Sequence, residues 1–208
     1  MKSEPKILVL LFISYVTLLV AVIGFSGYNG LYGQDSHEYL RYCNQLIAFL
    51  KKGADPGNYF WTVAYPLTGA FLSFLIGSKL AMLLIPVLSA AWILVLVTSY
   101  LMNEFPGRER EVSIYSFLFL GLSPYFFRYS ISIMSDIPAT AFLVTAWYFA
   151  DRFIKVRKVT FFSFTIVSVA LAVFFRISLV PLTVPVFVFI GVSLFYNFDF
   201  KNSFLLRY

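Results

Sequence analysis

The sequence contains one cysteine, Cys43, and one histidine, His37, in 208 residues. A lone cysteine excludes an intrachain disulfide, so any part in an oxidising compartment must hold together by packing. No CxxC or HExxH spacing occurs, which removes the commonest zinc signatures. Charge is scarce too: 12% of residues are charged, against roughly 25% in soluble domains. There is no internal repeat, no low-complexity tract and no polar linker, so nothing marks a second domain. What remains is apolar, 60% of the chain, the composition of an integral membrane protein. The sixteen Lys and Arg outnumber the ten Asp and Glu, yet no basic run is interleaved with polar surface, so nucleic acid is not expected as a partner. The cations sit in short breaks between apolar stretches, a pattern that orients a membrane protein.

The uncharged runs are 7–25, 80–102, 112–127, 137–150, 159–175 and 177–198. A helix crosses a ~30 Å hydrocarbon layer with about 20 residues. The first two runs and the last qualify easily, and the others are short. Run 7–25 is longer than a cleaved signal core and no AxA-like site follows, so it is expected to remain as the first span. A seventh run, 63–77, contains Tyr65-Pro66 and ends near Lys79; it suits a span or an interfacial helix. If it stays out of the membrane and the N-terminus is cytoplasmic, ten of the sixteen basic residues face the cytoplasm; if it crosses, five do. Counting Lys and Arg therefore favours six spans with both termini inside. The predicted fold is an all-α polytopic transmembrane bundle, a single domain over 1–208. An external loop over 26–78 carries interfacial helices, and a plasma (inner) membrane location is expected.

The stretch "GQDSHEYLRY" follows the first span. After Asp35, the apolar positions Tyr39, Tyr42, Cys43, Leu46, Ile47 and Leu50 form one helical stripe, predicting an amphipathic helix over 36–52 that lies along the outer surface and stops at Gly53. Asp35 as N-cap with Glu38 at the third helical position makes a D-x-x-E capping arrangement, which accounts for both acids without function. A functional role is compatible with it.

A second acid, Asp136 in "SIMSDIPATAFLV", is the only charge between Arg128 and Asp151. The apolar run behind it amounts to about 21 Å of helix at ~1.5 Å per residue, too short to cross. The joining turn is therefore expected below the outer surface, with Asp136 and Arg128 lining a recess. An intramembrane carboxylate is a functional candidate by default. Capping by Asp136 or Ser135, with Pro138 in the first turn, or pairing with Arg128, are the structural alternatives. Arg176, in "FFRISLVPLTVP", either snorkels to the interface or faces the same recess. Lys79 reads first as an interfacial anchor, and His37 as a surface residue.

The segments "QDSHEYLRYCNQLIAFLKKG", "YPLTGAFLSFLIGSKLAMLLIPVLSA", "LSPYFFRYSISIMSDIPATAFLVTAWYFADRF" and "LAVFFRISLVPLTVP" together resemble the polyprenyl-phosphate-dependent glycosyltransferases of the GT-C superfamily, as in bacterial family 39 and the protein O-mannosyltransferases. The similarity runs from Ile7 to about Phe195 and lies in the order and spacing of the motifs. It implies inverting transfer of a sugar from a lipid-linked phosphate donor to a glycan, lipid or protein acceptor at the external face, among membrane lipids. By the same resemblance Asp35 is the catalytic base. Asp136 or Glu38 is a metal ligand or second acid, the cofactor being a divalent cation such as Mg or Mn. Lys79, Arg128 and Arg176 bind the donor phosphate, while His37, Tyr39 and Tyr65 line the acceptor side. Such enzymes continue for further spans, so the chain is expected to be an N-terminal portion. Two other classes remain: a transporter or flippase of lipid-linked saccharides, with helices broken at Pro86, Pro181 and Pro185, which the clustering of charges on one side disfavours, and a non-catalytic assembly subunit with a vestigial site.

The topology makes a direct prediction. A reporter fused after Lys158 reads as cytoplasmic, and an external reading contradicts the six-span arrangement.

Overall fold

The computed structural model describes residues 4–196. Lys2, Lys201 and Arg207, which enter the charge count above, lie outside the described residues. Among the described residues the fold is all-helical: α1 (Glu4–Ser26), α2 (Gly33–Lys52), α3 (Ala64–Ile76), α4 (Ser78–Glu104), α5 (Glu109–Ser116), α6 (Pro124–Ser130), α7 (Asp136–Val156), α8 (Val159–Phe175) and α9 (Val180–Tyr196). A π-helical segment, Phe117–Gly121, continues α5, and a 3-10 turn, Ile177–Leu179, precedes α9. Three stretches are long and apolar enough to cross a membrane: Pro5–Ser26, Ser78–Glu104 and Ile177–Phe195.

Helix α2 begins at Gly33, earlier than its stripe suggests, and ends as expected. Gly53 takes a left-handed conformation (φ 67°) and its N–H bonds the Phe49 carbonyl, the usual helix stop. Tyr39, Tyr42, Cys43 and Leu46 form its buried face, which packs on α3 and α4. Cys43 is fully enclosed there, and burial pushes its thiol up to about 11, which makes it inert as a nucleophile.

Two of the shorter runs differ from expectation. Run 112–127 is not one helix: after the π segment the chain breaks at Leu122 and Ser123, and α6 restarts with Pro124 at its first turn. The residue before a proline is pushed out of the helical region, and Ser123 is extended accordingly (ψ 127°). Helix α7, by contrast, is longer than its uncharged run. Its 21 residues span about 31 Å, because it continues through Asp151, Arg152 and Lys155; Lys155 bonds Asp151 at 3.0 Å and Glu104 at 3.5 Å. The length of α7 thus gives no reason to sink its start. The α6–α7 turn is nevertheless enclosed, since Ser130, Ser132, Ile133 and Ser135 have no exposed surface.

Helix α4 forms the centre of the bundle, against α1, α3 and α7, and α7 and α8 pack as an antiparallel hairpin through the short Arg157–Lys158 link. The chain path collects the ends of α1 and α8, the starts of α2, α4, α7 and α9, and the whole α6–α7 turn at one end of the bundle. The α4–α5 and α7–α8 links lie at the other.

Neither α4 nor α9 breaks at its prolines: α4 is continuous through Pro86, and α9 through Pro181 in its first turn and Pro185 in its interior. A proline inside a helix leaves the carbonyl four residues earlier without its N–H. For Pro86 that carbonyl is Met82, and the Tyr65 hydroxyl donates to it at 2.6 Å. Gly69 lets α3 come this close, because a Cβ there would overlap the Met82 sulfur.

The Tyr65 bond predicts a thermodynamic coupling. Tyr65→Phe destabilises the protein by about 1–3 kcal/mol, the cost of an unsatisfied buried acceptor. In a Pro86→Ala background, where Met82 regains its intrahelical donor, the same change costs under about 1 kcal/mol. Unfolding of the four proteins in detergent measures the difference, and an equal cost in both backgrounds contradicts it.

Candidate active site

Residues far apart in sequence converge at the collected end. The loop after α1 and the turn before α7 are joined backbone to backbone, the Ile133 N–H donating to the Gly30 carbonyl at 2.8 Å. The Tyr28 and Ser132 hydroxyls bond at 3.1 Å, and the Tyr39 and Ser135 hydroxyls at 2.7 Å. Gly30 has φ 80°, and a Cβ there would lie 2.6 Å from Leu83 Cδ1 and 3.0 Å from Ile133 Cγ1. Only glycine fits this junction without displacing its neighbours.

The junction brings the first turn of α2, with Asp35, beside the first turn of α7, with Asp136. The two aspartates are close enough for their charges to interact, and both act on Tyr39. Asp136 heads α7, where the free amide hydrogens favour an anion. Its Oδ2 accepts from Arg176 Nη1 at 2.6 Å, and each of these two side chains retains about a third (32%) of its accessible surface. The pair is tight and still wet. Arg176 is further held by Ser178 Oγ at 3.0 Å and reaches Ser135 Oγ at 3.5 Å. The strand of chain just before α3 closes over this corner, with the Thr62 hydroxyl donating to the Phe175 carbonyl at 2.6 Å.

The partner of Asp136 is therefore Arg176 and not Arg128. Arg128 is exposed and stacks on the Tyr32 ring, its guanidinium carbon 3.8 Å from the centroid. Tyr32 is the N-cap of α2, so this cation also stands beside the turn that carries Asp35. Stacking holds a guanidinium by one face and leaves its N–H fork free for an anion.

The capping arrangement expected at Asp35 and Glu38 is not formed. Tyr32 occupies the N-cap position, and the Ser36 hydroxyl accepts from the Tyr32 N–H at 3.0 Å while donating to the Tyr32 carbonyl at 2.7 Å. Asp35, partly exposed in the first turn, is released from capping. Glu38 forms an exposed pair with Arg41 at 2.8 Å, and Arg41 also donates to Gln45. His37 is exposed on the outer side of α2.

Both tyrosines expected on the acceptor side are enclosed. Tyr65 has no exposed surface and its hydroxyl is spent on Met82. Tyr39 is 2% exposed and acts as a support. Burial pushes its phenol above the ordinary value, with the Ser135 hydrogen bond and the Arg176 charge opposing in part, so it stays a neutral hydroxyl. Lys79 is exposed and borders a separate recess with Tyr28 and Asn29; no ion pair or hydrogen bond joins it to the aspartates.

Among the described residues no three His, Cys, Asp or Glu side chains gather as a metal-binding group. The nearest donor set, Asp35 and Asp136, has one of its carboxylates already neutralised by a guanidinium, which makes it a poor fit for a resident divalent cation.

Tyr32 is a site residue that sequence reasoning missed, and Ser135, expected only as a cap, stands at the N-cap of α7 but its hydroxyl pairs with Tyr39 and accepts from Arg176. The signal for Ser135 was the cluster Ser130, Ser132 and Ser135 in an otherwise apolar stretch, since hydroxyls enclosed in a bundle must find partners. Tyr32 carries no comparable signal. Comparison of the chain with protein-family models, curated proteins and solved structures finds no match.

The junction yields a stability prediction. Gly30→Ala lowers stability by about 1–2 kcal/mol through the left-handed backbone alone, with the Leu83 overlap added. Thermal unfolding measures it, and an unchanged midpoint contradicts the tight contact.

Proposed function

We propose that the chain is a membrane glycosyltransferase that moves a sugar from a polyprenyl-phosphate donor to an acceptor at the external face, with inversion. Six crossings, by α1, α4, the α5–α6 segment, α7, α8 and α9, leave α2 and α3 outside and put the two aspartates on the external side. The observation that carries the reading is the convergence of Asp35 with the Asp136–Arg176 pair, at the same end as Arg128. A free carboxylate beside two guanidiniums is the minimum equipment for displacing a phosphate.

Asp35 takes the proton from the acceptor hydroxyl as its oxygen attacks the anomeric carbon. The bond from that carbon to the phosphate oxygen breaks, its electron pair leaving with the phosphate. Attack opposite the leaving group inverts the centre. The departing phosphate gains negative charge, and the guanidiniums of Arg128 and Arg176 neutralise it. Asp136 orients Arg176 by charge-assisted hydrogen bonding, so it acts as a positioning residue. No step runs through a metal ion. The donor enters sideways from the lipid, and the acceptor approaches from the aqueous side of α2.

Asp35→Asn keeps the shape and, because Ser36 supplies the local hydrogen bonds, leaves α2 intact. The expected result is loss of transfer by at least about a hundredfold with normal insertion and retained donor binding. Unchanged transfer rejects the assignment. Asp136→Asn lowers turnover and donor affinity together, and Mg²⁺ or Mn²⁺ leaves both unaltered in the variant and the unmodified protein. Dependence on either cation contradicts the arginine-based scheme.

A further inference from the structure

At the end of the bundle opposite the aspartates, a groove of about 400 Å³ opens between α4 and α5. Its walls are apolar, with Val97 and Leu101 from α4, Tyr115 from α5 and Phe119 from the π segment. Two features set it apart from an ordinary lipid-facing crevice. The lip carries Arg108 and Glu111, both exposed, three residues apart and yet not paired with each other; among the described residues neither side chain has an ion-pair or hydrogen-bond partner. Deeper in, Ser116 lines the groove with 5% of its surface exposed, and its Oγ is buried without a hydrogen-bond partner.

A serine in a helix ordinarily returns its hydroxyl to the carbonyl four residues back, as Ser113 does to Glu109 and Ser130 to Phe126. Ser116 stands where the α-helix gives way to the π segment and makes no such bond. A buried hydroxyl left this way costs about 1–3 kcal/mol, which a ligand acceptor in the groove would recover. The site thus offers a cation and an anion at the rim, the unpartnered Ser116 hydroxyl about 7 Å further along the helix axis from Glu111, and a largely apolar channel below.

We infer that this groove binds one aminophospholipid of the phosphatidylethanolamine class. Arg108 takes the headgroup phosphate and Glu111 the primary ammonium. The Ser116 hydroxyl donates to an ester carbonyl of the glycerol backbone, and an acyl chain lies against Val97, Leu101 and Phe119. The two rim charges distinguish this occupant from other lipids. A phosphatidylglycerol has no cation for Glu111, and a phosphatidylcholine has a cation that cannot donate a hydrogen bond. The inference requires a bilayer around this end of the bundle and is independent of sugar transfer at the other.

The test is native mass spectrometry of the full chain in detergent, with phosphatidylethanolamine, phosphatidylcholine and phosphatidylglycerol added separately at equal concentration. Phosphatidylethanolamine is expected to be retained about tenfold more than either of the others, the value of one charge-assisted hydrogen bond. Glu111→Gln brings it down to the phosphatidylcholine level and leaves phosphatidylcholine unchanged. Arg108→Ala and Ser116→Leu each lower retention of all three. Both rim positions are exposed, so those variants fold. Equal retention of the three lipids by the unmodified protein, or a preference that survives Glu111→Gln, overturns the inference.

Discussion

The arrangement depends on one constraint: the turn between α6 and α7 cannot leave the loop between α1 and α2. The Ile133–Gly30 backbone bond and the Tyr28–Ser132 hydroxyl pair tie them directly, and the Tyr39–Ser135 pair ties the turn to α2, into which the loop leads. The turn is enclosed, and an unmade hydrogen bond there costs more than a made one contributes. The positions of Asp35 and Asp136 follow from it. Each aspartate begins or nearly begins a helix that leaves the tied segments, so fixing the segments fixes the separation of the acids and lets Arg176 reach one of them.

A second regularity supports the first. Where a helix is interrupted, a hydroxyl takes the carbonyl that the interruption exposes. Tyr65 serves Met82 below Pro86, Tyr15 serves Gly121 at the end of the π segment at 2.8 Å, and Thr62 serves Phe175 at the end of α8. In a hydrocarbon environment every backbone group must be satisfied internally. The interrupted backbone at these three points is therefore tolerated because of these partners. Tyr15 is wedged between Phe117 and Phe126, so the cap on Gly121 is also a packing element that holds α6 in place.

Much of the helical content was legible in the sequence, because apolar runs and a stripe at helical spacing report burial directly. The stripe from Tyr39 to Leu50 placed α2 and Gly53 placed its end. Two errors came from reading charge as a boundary. Helix α7 passes through Asp151 and Arg152 because their side chains extend to neighbours and water, while run 112–127 breaks at an uncharged Ser-Pro pair. At the site, Asp136 and Arg176 were visible as isolated charges among apolar residues, and Asp35 as part of the polar stretch that follows the first apolar run. Their pairing was not: whether Asp136 meets Arg128 or Arg176 depends on how α8 packs on α7, which no local pattern encodes. Tyr65 was expected on the acceptor side because its partner, the Met82 carbonyl, becomes available only through a proline on another helix.

The central claim is that the side chains at positions 35 and 136 share one solvent-accessible corner. Cross-linking in native membranes tests it most directly, with cysteines introduced by Asp35→Cys and Asp136→Cys in a Cys43→Ala background and a short bifunctional thiol reagent. The account predicts efficient intramolecular bridging of this pair and none for a control pair made by Asp35→Cys and Lys158→Cys, at the opposite end of the bundle. Bridging of the first pair no better than the control would contradict it.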